Sequence, residues 1–328
     1  MKKILILLVS LLLVISIVYF ALQEQTITQN SNEVLLEPSQ STQGIPDESV
    51  SDINTDSEVE QPLPKDNKVA SKPFSLRRCI ESVDKKYPGK SIELYIVTSK
   101  VYADGEIAAG RSPYQTMPTA SLKSLAAADD VDALFVLGQE TMWLATTGLM
   151  INEHSDVPKL SSEEKSAILK NHELDFELLE EGEEYLFRAA VLGKLGGLGE
   201  FSSLTSMGFT RLSKSDAEDE RVKKLIAKVM AYSDLTREIH REDGYLQEIM
   251  GGQLESIERR VLQPFVELED FESFKQDIQK IADSEFELLY QRWKERRNYY
   301  GLPVHPKIIT DELTDYSEEM EACYKKAD

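Results

Sequence analysis

The sequence predicts an all-α protein: a helix-turn-helix repeat, solenoid-like domain with a C-terminal helical extension, preceded by a single transmembrane helix and a disordered linker. Three observations carry this expectation. Apolar residues recur at helical spacing from about residue 75 onward, an uninterrupted apolar run opens the chain, and between them lies a stretch with ten acidic side chains and no aromatic.

Residues 1–3, with Lys2 and Lys3, form a short basic start. The run Ile4–Leu22 follows, interrupted only by Ser10 and Ser16. At about 1.5 Å of rise per residue it makes a helix of roughly 28 Å, the hydrocarbon thickness of a bilayer. A cleaved secretory signal has a core of only about 7 to 15 residues and a small-x-small cut site. Here the one candidate cut, after Ala21, places Tyr19 where a small residue is wanted, and no cysteine lies nearby to carry a lipid. Residues 4–22 therefore read as a signal anchor that binds the lipid bilayer. With the lysines before it, the N-terminus is expected in the cytoplasm, the span in a bacterial inner membrane, and the folded domain in the periplasm.

Residues 23–72 are rich in Ser, Thr, Gln, Asn, Pro, Asp and Glu, with three lysines against the ten acids. Such a segment cannot bury enough apolar surface to offset its chain entropy, so it reads as a disordered acidic linker with a span of about 35 to 45 Å. The net charge of the whole chain is −21, and the linker carries only a third of it. An acidic surface repels nucleic acid and anionic headgroups. The expected partner is a cell-envelope protein or peptide, with no nucleic acid and no cofactor.

Residues 73–212 are expected to form the helical-repeat domain and residues 213–328 a helical region packed on it. Leu76, Ile80 and Val83 share one helix face, which Pro88 and Gly89 end. Ser91–Val101 is rich in β-branched residues and suits a strand as well as a helix; lacking a neighbouring strand, it is expected to be helical. Val222, Leu225, Ile226, Val229 and Met230 follow the i, i+3, i+4, i+7, i+8 pattern, and the stripe Phe274, Ile278, Ile281, Leu289, Trp293 marks a long helix from Phe271 to Gly301. Cys79 and Cys323 stand near the two ends of the folded region. An even count in an oxidising compartment favours a bond between them.

Residues 125–138, Leu-Ala-Ala-Ala-Asp-Asp-Val-Asp-Ala-Leu-Phe-Val-Leu-Gly, can be laid over residues 189–202, Ala-Ala-Val-Leu-Gly-Lys-Leu-Gly-Gly-Leu-Gly-Glu-Phe-Ser, at an offset of 64. Ala126 then meets Ala190, Asp129 meets Gly193, Ala133 meets Gly197 and Leu137 meets Phe201. This pattern resembles the Sel-one-like subclass of tetratricopeptide-type repeats, over about 80 residues. The resemblance implies that Ala126 and Ala133 are the helix-crossing positions of one unit, and Ala190 and Gly197 those of the other. It departs from the family in its offset, since adjacent units repeat every 34 to 40 or so residues. The segment from Ile151 to His172 must hold an insertion or a degenerate unit.

No motif for chemistry emerges. His154, His172, His240 and His305 are scattered, and the cluster His172, Glu173, Asp175, Glu177 reads as a solvated face rather than a metal site. Ser82-x-x-Lys85 and Ser162-x-x-Lys165 lack the companion motifs of penicillin-recognising enzymes, and Ser161 with Glu164 suits a capping box. Gly193, Gly196, Gly197 and Gly199 follow a helix, not the strand that a phosphate loop requires. Arg292, Lys294, Arg296 and Arg297, interleaved with Trp293, Tyr299 and Tyr300, read as a solvated helix face. The expected function is a membrane-anchored, exported protein-protein interaction or scaffold module. The alternative is an exported cell-wall hydrolase built on an acidic residue pair.

Overall fold

The computed structural model describes residues 74–102, 112–152 and 159–327, and these contain eleven α-helices, four short 3-10 turns and no strand. The start of the chain (residues 1–3, expected to be cytoplasmic), the apolar run of residues 4–22 and the stretch of residues 23–72 lie outside the described residues. Among the described residues no helix is long and apolar enough to cross a membrane.

Pro88 and Gly89 separate α1 (Leu76–Lys86) from α2 (Lys90–Val101), and the β-branched stretch is helical. Next come α3 (Thr119–Ala127) and α4 (Val131–Thr147), then α5 (Ser162–Asn171), α6 (Phe176–Val191) and α7 (Gly196–Gly208). After two 3-10 turns, α8 (Glu220–Ile239) and α9 (Gly244–Leu262) form a further hairpin. The chain ends with α10 (Phe271–Tyr299) and α11 (Asp311–Ala327).

The two sequence stretches that align at an offset of 64 are both helix-turn-helix corners, with the same turn hydrogen bonds. Asp129 N–H donates to Ala126 O and Asp130 N–H to Leu125 O; Gly193 N–H donates to Ala190 O and Lys194 N–H to Ala189 O. This is the Schellman ending of a helix, which needs a left-handed residue at its hinge. Asp129 (φ 60°) and Gly193 (φ 120°) supply it at equivalent positions. The intervening Ile151–His172 region contains α5, which has no buried residue. This helix separates the two corners along the chain. Its start is the capping box of Ser161 and Glu164.

α4 and α6 pack antiparallel, so closely that a Cβ on Gly138 would lie 2.6 Å from Leu186 Cγ and one on Gly182 2.7 Å from Met142 Cγ. α6 and α8 run parallel in constant register: Arg221 lies over Phe176, Lys228 meets Glu183, and Tyr232 meets Phe187 edge-on. α7 packs on α4, α6, α8 and α9. α10 runs along α8 and reaches α6, burying Trp293 against Phe187. A single core includes residues on both sides of position 212, from Leu122 to Trp293.

α1, α2 and α11 form a separate group at one end. Cys79 of α1 and Cys323 of α11 are joined in a disulfide, with Cα atoms 5.7 Å apart. Lys86 and Tyr87 both donate to Glu319, and Tyr316 donates to Asp84. The group meets the body where Leu94 and Val97 touch Leu246, Ile309 and Leu313, and where the hydroxyl of Tyr102 bonds Nε2 of His240 at 2.8 Å.

Candidate functional site

A cleft among the described residues follows from the parallel register of α6 and α8. Two parallel helices separated by a third beneath them leave a groove, and here α7 supplies the floor through Phe201. Phe176 and Leu179 of α6 and Leu225 of α8 complete an apolar lining. One wall is acidic, with Glu180 and Glu183; the opposite wall carries Arg221, Lys224 and Lys228. The cleft holds about 130 Å³ and opens to solvent.

Its inner end is closed by a polar cluster. Glu183 accepts from Lys228 Nζ at 2.5 Å and from the Tyr232 hydroxyl at 3.0 Å. Tyr232 is buried and its ring is tilted against that of Phe201, with centroids 4.2 Å apart. Burial and the neighbouring Glu183 charge push its phenol well above the usual range, so it stays a donor. The carboxylate of Glu183 is thus already spent on two donors. At the mouth Arg221 spreads over Phe176 and holds Asp219 at 2.7 Å, while Lys224 stands 3.9 Å from Glu285. An apolar pocket between walls of opposite charge suits capture of a large side chain from a partner, oriented by the charges beside it.

A second hollow lies on the outer side of α10, lined by Arg292, Glu295, Arg296, Tyr299 and Tyr300. Here the sequence expectation of a solvated basic face is corrected at Arg297, while Trp293 is buried as its place in the apolar stripe predicts. Trp293 is fully buried and donates to Val304 O. Arg297 is also buried, donating to Val191 O at 2.7 Å and to Pro303 O at 2.9 Å. Burial lowers the pKa of Arg297, and the two backbone carbonyls are what make its charge tolerable. Arg292 and Arg296 share Glu184 of α6. The run therefore fastens α10 to α6, and only Tyr299, 82% exposed, is freely presented.

Ala126, Ala133 and Ala190 are completely buried, and a Cβ on Gly197 would lie 2.4 Å from Leu186 O where α7 leaves α6. The glycines after Val191 serve close approach of this kind: at Gly196 a Cβ would lie 1.8 Å from Tyr102 O. Asp175 caps α6, and His172 bonds Ala145 O through Nε2. Among the described residues no three His, Cys, Asp or Glu side chains are grouped to hold a metal ion. No family model, curated protein or solved structure matches this chain.

Two features escaped the sequence. The cleft is assembled from residues 45 apart, and its one local signal, Lys224 and Lys228 a turn apart beside the apolar stripe of α8, was not read from the sequence. Glu200 of α7 looked unremarkable, yet burial pushes its carboxyl up to about 7, opposed by a hydrogen bond from the Gln139 side chain.

Proposed function

We propose that this chain is a membrane-anchored, exported helical-repeat module that binds a protein or peptide of the bacterial cell envelope through the α6–α8 cleft. The observation that carries the reading is the cleft itself, with its apolar floor and opposed charged walls in a protein that is otherwise strongly acidic. The matching turns at Asp129 and Gly193 support the repeat character, since stacked helical hairpins leave such grooves between successive first helices.

The test is site-specific photocrosslinking in cells. A benzophenone residue at position 224 should capture a discrete envelope protein, while one at the exposed Leu288 should not. Phe176→Asp should reduce capture at position 224 at least tenfold. Absence of any adduct at 224, or equal adducts at both sites, overturns the proposal.

The alternative is a cell-wall hydrolase built on an acidic residue pair, and Glu200, whose carboxyl burial pushes up to about 7, is the residue on which to test it. Glu200→Gln would then abolish release of soluble wall fragments by the purified chain. Unchanged or absent release in the parent removes that alternative.

A further inference from the structure

The charges that line the α6–α8 cleft leave one unmatched. Each cation of the basic wall already has a carboxylate: Lys228 holds Glu183, Arg221 holds Asp219 at the start of its own helix, and Lys224 stands 3.9 Å from Glu285. Three cations thus meet three carboxylates, and Glu180 of the acidic wall is left over. It is exposed on α6 beside the buried Leu179 of the apolar lining, and among the described residues it makes no hydrogen bond or ion pair.

Size narrows the occupant further. A cleft of about 130 Å³ admits one side chain, whereas sites for drug-sized ligands run to roughly 300 to 1,000 Å³. One face of Phe176 is already taken, since the Arg221 guanidinium lies 4.7 Å from its ring centroid. An incoming cation therefore finds its attraction at the carboxylate of Glu180 and not over that ring. A metal ion is poorly served there: calcium takes about six to eight oxygen ligands, and among the described residues no three acidic, His or Cys side chains are grouped to supply them.

We propose that the occupant of the cleft is a peptide segment in which one large apolar side chain stands beside a lysine or arginine. The apolar group sits against Leu179, Phe201 and Leu225, and the cation pairs with Glu180. This rests on the α6–α8 cleft being the partner site, and it names the chemistry of that partner. Charge complementarity selects a cationic segment over an anionic one. An anion would have to displace Glu183, Asp219 or Glu285 from the cation each already holds, whereas a cation meets a carboxylate that holds none. The net charge of −21 draws the same kind of segment from a distance.

The experiment is fluorescence anisotropy with the full chain in a neutral detergent at physiological salt, where charges more than about 8 Å away are screened. The probes are three labelled peptides, alike except for a core of Lys-Phe-Lys, Ala-Phe-Ala or Glu-Phe-Glu. The lysine peptide should bind at least fivefold tighter than the alanine peptide, and the glutamate peptide weakest of all. Glu180→Gln should weaken the lysine peptide at least threefold and leave the alanine peptide unchanged, while Glu180→Lys should put the glutamate peptide first. Glu318→Gln, which removes an exposed carboxylate of α11 instead, should change none of the three. Equal affinities, a preference for the glutamate peptide, or a lysine peptide that is indifferent to Glu180→Gln overturns the inference. So does a lysine peptide that fails to bind at millimolar concentration. Phe176→Asp separates this inference from the reading beneath it. If it weakens all three peptides while Glu180→Gln does nothing, the inference alone falls; if it weakens none, the cleft falls with it.

Discussion

The body of the molecule, α3 to α10, buries Trp293, Tyr232, Phe135, Phe187 and Phe201 in one continuous core, while α1, α2 and α11 rely on two clusters of three buried side chains each, one within the group and one at its seam with the body. Val83, Tyr316 and Cys323 make one, and Leu246, Ile309 and Leu313 the other. Clusters this small do not by themselves outweigh the entropy of ordering three helices. The difference teaches that the body is held by burial and the terminal group by its disulfide, helped by Lys86, Tyr87 and Glu319.

Cutting the disulfide should separate the two regions most sharply. In the chain-entropy model a loop closed over a sequence separation of 244 constrains the unfolded state by up to about 5 kcal/mol. Cys79→Ser/Cys323→Ser should therefore deprotect α1 and α11 in hydrogen exchange while α4, α6 and α8 keep their protection; uniform loss would mean that the regions are one cooperative unit. The converse change is Trp293→Ala, which should cost about 3 to 5 kcal/mol in denaturant unfolding of the body. The Cys79–Cys323 bond should still form in that variant, as seen by thiol labelling.

Acid should act at the seam between the regions. Burial lowers His240 from 6.5 to about 4, so as pH falls from 6.5 the unfolded chain gains a proton before the folded one does. Stability is lost over that window, by about 3 kcal/mol once pH reaches 4. Glu200 works in the opposite sense. Its carboxyl is raised from 4.5 to about 7, so stability is lost as pH rises from 4.5 through 7, again by up to about 3 kcal/mol. Glu200→Gln should thus be more stable than the parent at pH 8 and equal to it at pH 4, and the parent's α2 should loosen in acid before the body does. Urea titrations at the two pH values, followed by exchange, check both. The smallest effect is expected from Tyr102→Phe, which removes one hydrogen bond to His240 and should cost about 1 kcal/mol, read as faster exchange in α2 alone.

Local chemistry made much of the fold legible in advance. Pro88 and Gly89 mark a true break, and the apolar stripes of α8 and α10 are buried where their periodicity places them, at Val222, Leu225, Ile226, Ile278 and Trp293. Segments without periodicity were opaque. α5 carries no buried face, so nothing in its sequence distinguishes an inserted helix from a worn repeat unit. Composition also misled at Arg297, because charge near a helix end looks solvated until the carbonyls of Val191 and Pro303 are brought to it from elsewhere. The cleft depends on register between helices 45 residues apart, and one-dimensional spacing does not encode register.

The bond between Cys79 and Cys323 also has a mechanical side. A pull on the chain ahead of Phe74 enters the fold at α1, and from there two routes lead to the body. One passes through α2 to the contacts of Tyr102 and Val97; the other crosses the disulfide into α11 and returns through Leu313 and Ile309 to Asp243, which accepts from the Ile309 N–H. Load is shared between two parallel straps, so neither helix is peeled from its end like a zipper. A partner seated in the α6–α8 cleft would be pulling against a doubled attachment.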